Sequence, residues 1–398
     1  MTSETQDWNE LTNESDTNKV QQEEARDTFD TLELKMELLR GIYNYGFEIP
    51  SRIQRMAIPI MISRKDMIAQ SQSGTGKTGS FVTGLLQVID EKKHYPQGII
   101  IAPTRELAQQ IEYVVRQLGI YMKINTSLCI GGTRMNENIS SIKKAHVIVG
   151  TPGRIRDMVE KMYFDPNKIE IIVMDEADKL LERDFVDVIK NIMLGINKNA
   201  QVCAFSATLT NEAMDITKKF MNNPVNMLIE KEKLTLDLIV QMYIDVQEEI
   251  YKLDTLKNIY EQFAIGQCII YTNSKERATW LKAHLNSANT IHSGLSPEER
   301  TNVMKSFRQG EFRILISTDL LARGIDVQQV SYVINYDLPI DTESYLHRIG
   351  RSGRYGKKGV AINFATRKDY TMLENIVKHY DTQIIEMPEP EEVNKYLS

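Results

Sequence analysis

Ser71-Gln72-Ser73-Gly74-Thr75-Gly76-Lys77-Thr78 stands between a short apolar run, Met67–Gln70, and a helical pattern that resumes at Phe81. A strand that enters a glycine-rich loop closed by Lys-Thr, and leaves it as a helix, has the layout of a phosphate cradle. Gly74 and Gly76 let backbone N–H groups approach phosphate oxygens, Lys77 reaches the outer oxygens, and Thr78 offers its hydroxyl to Mg2+. Ser71 takes the place of the first glycine of the general pattern. A bland glycine-rich turn is the competing reading, and it leaves the Lys-Thr pair unexplained. Ligand loops of this kind sit at the carboxyl ends of strands in parallel sheets, so the motif points to an α/β fold.

A second run, Ile171–Asp175, delivers Asp175-Glu176-Ala177-Asp178 to a strand end. Adjacent carboxylates there can divide two tasks: Asp175 holds Mg2+ through water, and Glu176 takes a proton from the attacking water. Further apolar runs at Gly98–Ala102, Val147–Gly150 and Val202–Ser206 alternate with helical periodicity. After a polar stretch around Glu230–Asp237, strands recur at Gln267–Tyr271, Arg313–Ser317, Tyr332–Tyr336 and Gly359–Phe364. The pattern predicts two tandem parallel-sheet domains with helices on both faces, at residues 28–228 and 239–398, joined by a short linker at 229–238. A chain of 398 residues with 42% hydrophobic content can fill two such cores. Only the first half holds a phosphate loop, so one ATP per chain is expected, in a cleft between the halves.

The net charge of −6 argues against a nucleic-acid binder until it is divided along the chain. Of the 54 acidic and 48 basic residues, residues 1–27 hold eight and two, which leaves 46 of each in the remainder. The polar tail at 1–27 reads as disordered. The folded part is neutral, so affinity for a polyanion needs a local groove rather than a basic surface, and a second ligand could assemble it. Cys129, Cys203 and Cys268 lie far apart on apolar runs without Cys-x-x-Cys spacing, which argues against a zinc site or a disulfide framework and fits a reduced compartment. No apolar run approaches membrane-spanning length, and the start of the chain lacks a signal-peptide pattern, so a soluble protein without a membrane partner is expected.

Gly46-Phe47-Glu48-Ile49-Pro50-Ser51-Arg52-Ile53-Gln54 precedes the phosphate loop. A glutamine amide can donate to adenine N7 while accepting from its N6 amine, an order that guanine O6 disrupts, and Phe47 offers a face for stacking. A core Phe beside a surface Gln is the bland alternative; the position just before the loop favours base reading.

These stretches resemble the Q motif, motif I and motif II of the DEAD-box RNA helicases. The resemblance continues through Pro103-Thr104-Arg105-Glu106-Leu107-Ala108 (motif Ia), Gly131-Gly132 (Ib), Thr151-Pro152-Gly153-Arg154 (Ic) and Ser206-Ala207-Thr208 (III). In the second half it takes in Ile269–Ser274 (IV), Ser317-Thr318-Asp319 with Ala322-Arg323-Gly324-Ile325-Asp326 (V), and His347-Arg348-Ile349-Gly350-Arg351-Ser352-Gly353-Arg354 (VI). It implies two RecA-like domains, an ATP-binding one followed by the helicase C-terminal one, and an RNA-dependent ATPase that uses ATP and Mg2+. By resemblance Arg351 and Arg354 are arginine fingers acting with Lys77, Asp175 and Glu176, and Asp326 contacts the ribose. Nucleotide binding then falls to Phe47, Gln54, Asp326 and Ser73-Gly74-Thr75-Gly76-Lys77-Thr78, and the metal to Thr78 and Asp175.

The same resemblance implies RNA contacts at Thr104, Arg105, Gly132, Thr133, Thr151, Gly153, Arg154, Arg300 and Thr318. Hydroxyls, guanidinium groups and glycine amides serve phosphates and sugars rather than bases, so binding should be independent of sequence. Ser206, Thr208, Asp178 and His347 would couple the two halves, with a helix N-cap as the alternative reading of the two hydroxyls. Pro297 stands where the family usually has Gln, and Ile49 replaces a common Lys. Within the family the chain resembles the eukaryotic initiation factor 4A group, through Leu38–Tyr43, Cys129–Thr133 and Leu320–Val330. The implied function is unwinding of short duplexes by ATP-driven cleft closure on single-stranded or structured RNA. The setting would be cytoplasmic translation initiation, by a monomer outside complexes, with a scaffold protein as partner. An ATP-locked RNA clamp in nuclear RNA processing is the alternative.

Overall fold

The computed structural model describes residues 28–71, 74–182, 184–208, 211–228, 239–263, 265–319, 330–352 and 359–388. Two seven-stranded sheets form the frame, and every strand pairing in them is parallel. The first holds β1 (Met67–Gln70), β2 (Gly98–Ile101), β3 (Thr126–Cys129), β4 (Val147–Gly150), β5 (Ile171–Asp175), β6 (Gln201–Ser206) and β7 (Val225–Leu228), in the order β3-β4-β2-β5-β6-β1-β7. The second holds β8 (Ile239–Gln247), β9 (Cys268–Tyr271), β10 (Ala288–Ile291), β11 (Ile314–Ser317), β12 (Tyr332–Asn335), β13 (Gly359–Thr366) and β14 (Ile385–Glu386), in the order β10-β11-β9-β12-β13-β8-β14. Counted from its own first strand, the second sheet repeats the order of the first.

Each expected strand is present with ends shifted by no more than two residues, and β3, β7, β8, β10 and β14 are additional. The helix after the phosphate loop begins at Lys77 rather than at Phe81, since Thr78, Gly79 and Ser80 form its first turn without adding to an apolar period. The tail at 1–27 and the linker at 229–238 lie outside the described residues.

Parallel strands covered on both faces feed two cores with successive side chains. On β5, Ile171 and Val173 enter the core formed with Phe81, Leu85 and Val115, while Ile172 and Met174 enter the opposite one with Ile155, Met158 and Ile189. That two-sided burial is why the run reads as continuously apolar, and it leaves the polar residues that follow at the carboxyl end. Among the described residues no helix is long and apolar enough to cross a membrane.

Candidate active site between the two sheets

The phosphate loop leaves β1 beside β6, where the Ser71 amide donates to the Ser206 carbonyl at 2.9 Å. Gly74 (φ 85°) and Gly76 (φ 99°) both take the left-handed backbone that glycine tolerates, and Gly76 sits at the N-terminus of the Lys77–Val88 helix. Ser71, in place of a glycine, is drawn into the loop by a 2.8 Å hydroxyl contact with Thr75. Lys77 Nζ donates to the Ser71 carbonyl at 2.6 Å, so the ammonium is folded back over the loop it serves. Ser73 lies outside the described residues.

Gln54 belongs to the Arg52–Ile62 helix and is buried. Its Oε1 accepts from the Ser51 amide at 2.8 Å, completing a capping box, and its Nε2 donates to the Gly76 carbonyl at 3.4 Å. Glycine at 79 permits this approach: a Cβ there would stand 2.5 Å from Gln54 Nε2 and 2.9 Å from Phe47 Cε2. Phe47 is half-buried, nearly parallel to Phe29 at a 6.3 Å centroid distance and edge-on to Tyr45 at 5.0 Å. The two expected base-reading residues therefore meet at the phosphate-loop helix.

Asp175 closes β5, and its Oδ1 accepts from the Glu176 amide at 3.0 Å. Glu176 has φ 51° and ψ 53°, a left-handed conformation that costs a non-glycine residue about 1–2 kcal/mol and turns the chain sharply into Ala177–Leu180. Burial raises the Asp175 carboxyl to about 6, against the pull of Lys77. Burial also brings the Lys77 ammonium down to about 8, against Asp175, Glu176 and Asp178. Arg351, from the second sheet's half, bears on both: its charge pushes Lys77 further down and draws Asp175 lower. Arg351 is buried, and its Nε donates to the His347 carbonyl at 3.1 Å. Arg354 and Asp326 lie outside the described residues.

Asp178 collects contacts from both halves. Ser206 Oγ donates to its Oδ1 at 2.5 Å and Thr208 Oγ1 to its Oδ2 at 2.9 Å, while His347 Nε2 lies 3.8 Å from Oδ2. Of the four residues expected to couple the halves, three thus converge on the carboxylate of the fourth, Asp178.

The other expected group gathers farther along the same sheet edge. Thr104 Oγ1 caps the Arg105–Leu118 helix through the Leu107 amide at 3.2 Å. Arg154 donates to Thr133 Oγ1 at 3.3 Å, to the Thr133 carbonyl at 3.2 Å and to Asn138 Oδ1, which locks it onto the Gly132-Thr133 turn. Gly132 (φ 78°) is hemmed in: a Cβ there would lie 2.3 Å from Arg105 Nη1 and 3.0 Å from Pro297 Cγ. Pro297 therefore supplies an apolar contact across the cleft. A Cβ on Gly153 would meet nothing within 4 Å. Thr151 precedes the Pro152–Glu160 helix, with its amide on the Cys129 carbonyl at 3.1 Å. Arg300 Nη1 lies 3.1 Å from Glu106 Oε1, with both side chains close to nine-tenths buried. The half-buried Thr318 accepts from Ser317 Oγ through its carbonyl at 2.7 Å. Burial depresses Arg105, helped by repulsion from Arg300 and Arg154.

One cluster escaped the sequence analysis. Arg348 is fully buried and grips Asp319 with two donors, Nε to Oδ1 at 2.5 Å and Nη2 to Oδ2 at 2.7 Å, while Nη1 donates to the Asp337 carbonyl at 2.7 Å. The signal was its placement three residues after Tyr345, on one face of a helix.

Residues 51–216 match the family described as DEAD/DEAH box helicase, and residues 251–356 match the one described as helicase conserved C-terminal domain. The chain is 50% identical over 371 residues to the ATP-dependent RNA helicase eIF4A of Yarrowia lipolytica, covering 92% of this chain and 94% of that protein. It is 49% identical over 369 residues to the ATP-dependent RNA helicase FAL1 of Candida glabrata, covering 91% and 92%. Dbp5 of S. cerevisiae, solved bound to RNA and ADP BeF3, matches with a TM-score of 0.88 and 36% identity, over 93% of this chain and all of that one.

Proposed function

The chain belongs to the DEAD-box family of ATP-dependent RNA helicases, and from that premise we propose that it binds single-stranded RNA without reading its sequence and unwinds short duplexes by closing its halves on ATP. The observation that carries this reading is the meeting of His347 and Arg351 with Lys77, Asp175 and Asp178 across the cleft. Charge that develops on transferring phosphoryl oxygens is stabilised by cations delivered at closure, an effect worth roughly 10³–10⁵ in rate. Arg351 fills that role, Lys77 holds the outer phosphates, and Glu176 accepts the proton of the attacking water.

The donor set suits Mg2+. Asp175 brings a buried carboxylate and Thr78 a hydroxyl in the first helical turn, both hard oxygen ligands. No group of three or more metal-binding side chains occurs among the described residues, so phosphates and water would complete the coordination. The ion supplies charge neutralisation on the phosphates when bound.

RNA would lie along Thr104, Arg105, Gly132, Thr133, Thr151, Gly153 and Arg154, continuing to Arg300 and Thr318 once the cleft closes. Resemblance to the initiation factor 4A group supports a cytoplasmic role in translation initiation with a scaffold partner. Single-stranded RNA affinity should be measured with a non-hydrolysable ATP analogue, with ADP and without nucleotide. Tight binding with the analogue alone is expected. Equal affinity in all three states would mean that the groove does not depend on closure.

A further inference from the structure

Asn335 and Asn363 face each other in register on β12 and β13, in the middle of the second sheet, and neither is exposed. Carboxamides buried in a sheet are costly unless their hydrogen bonds are made. Here they are made in one direction. Arg348 Nη1 donates to Asn335 Oδ1 at 3.4 Å, Asn335 Nδ2 to Asn363 Oδ1 at 2.8 Å, and Asn363 Nδ2 to Tyr345 Oη at 3.1 Å. Tyr345 Oη then donates to Gln241 Oε1 at 3.0 Å, and Gln241 Nε2 to Thr382 Oγ1 at 2.9 Å. Reversing Asn335 would set its amide donor against the Arg348 guanidinium, and reversing Asn363, whose Nδ2 also donates to the Met242 carbonyl at 2.9 Å, would set it against Asn335, so the run from Arg348 to Tyr345 has a single sense, and the guanidinium at its head polarises it.

Two members of this run, Tyr345 and Arg348, lie three residues apart on the Thr342–Ile349 helix and share its buried face. His347, on the same helix, faces Asp178 across the cleft, and Arg351, two residues past the helix end, is tied to the helix by the bond from its Nε to the His347 carbonyl. Apolar side chains at 335, 363 and 345 could fill the same space without loss of stability, but they would leave the roll of the helix free to adjust. Hydrogen bonds of fixed sense do not. We infer that this buried polar run is a positioning device for Arg351, with Tyr345 as the residue that sets the roll of the helix. The inference rests on the reading that Arg351 acts on ATP.

Tyr345→Phe removes only the hydroxyl, and Gln241→Leu removes its acceptor with a residue suited to a buried strand. Each should lower the RNA-stimulated kcat by about three- to tenfold, the worth of one buried hydrogen bond, and leave KM for ATP within about twofold. Arg351→Ala is assayed beside them. A purely structural role would lower thermal stability without that split, so wild-type kcat in either variant, or a loss carried by KM, overturns the inference. If Arg351→Ala itself hydrolyses ATP at the wild-type rate with RNA, it is the reading of Arg351 that fails.

Discussion

His347 Nε2 lies 3.8 Å from Asp178 Oδ2, and the same carboxylate accepts both hydroxyls of Ser206 and Thr208. Asp178 belongs to the half with the phosphate loop and His347 to the half with Arg351, so the two halves meet at a carboxylate two residues from Glu176. Asp178→Ala removes the acceptor of the Thr208 hydroxyl and the carboxylate that faces His347, while the Ser206 hydroxyl keeps the Thr208 carbonyl at 2.6 Å. ATP affinity without RNA should hardly change, whereas RNA-stimulated hydrolysis should fall about ten- to hundredfold, as the loss of charge-assisted hydrogen bonds implies. A matching loss in RNA-free ATP affinity would show that Asp178 serves the nucleotide directly.

Glu176 holds a left-handed conformation that glutamine can share at similar cost. Glu176→Gln should therefore keep the loop and bind ATP normally, while hydrolysis falls by roughly 10²–10⁴, the usual worth of a general base. Single-turnover hydrolysis with saturating RNA reads this directly, and a rate near wild type removes Glu176 from the role.

Asp175 supplies a stability test of the same site. Burial raises its carboxyl from 3.8 to about 6, so folding favours the protonated form. That contribution is complete below the unfolded value and is lost as pH rises through the folded one. Above it the ligand-free protein carries a desolvated carboxylate that Lys77 only partly offsets. Asp175→Asn should thus be more stable than wild type near pH 8 by about 1–2 kcal/mol, with the gap closing towards pH 4. Melting curves across that range decide it; a gap independent of pH would assign the effect to packing.

The nine strands visible in the sequence are those with nearly continuous apolar runs, and physical position explains which five were not. β3, β7, β10 and β14 are the four sheet edges. An edge strand is covered on fewer sides, as in the alternating burial of Thr126–Cys129, so its residues need not be apolar. β8 lies next to an edge and mixes Gln241, Tyr243 and Asp245 into its length. The ends of β1, β5 and β6 were legible because a glycine-lysine loop, carboxylates and hydroxyls, respectively, follow an apolar run there. Arg348 was not, since its meaning depends on Asp319, Asp337 and Asn335, brought together only by folding.

Gln54 carries two duties through opposite ends of one amide, Oε1 in the capping box and Nε2 on the Gly76 carbonyl. Gln54→Glu separates them. The carboxylate still accepts from Ser51, so the helix start survives, but it cannot donate to Gly76 or to a base. Melting should be nearly unchanged, KM for ATP should rise about tenfold, and the preference for ATP over GTP should shrink. If the preference persists, the base is read elsewhere.

Arg300 and Glu106 pair across the cleft at 3.1 Å with little solvent access. Arg300 also stands among the residues expected to hold RNA, and the two roles make different predictions. A phosphate ligand alone would weaken RNA binding when Arg300 is replaced and leave Glu106→Ala harmless, or even tighter for RNA through removal of a nearby negative charge. A cleft latch makes both replacements weaken analogue-dependent RNA binding, because each leaves a buried charge without its partner. The pairing geometry favours the latch, so the double variant should be no worse than either single one, with a coupling of about 1–3 kcal/mol in RNA affinity. Additive losses in the Arg300→Ala, Glu106→Ala cycle would instead mean that the two side chains act independently, and that Arg300 serves RNA binding only as a phosphate ligand.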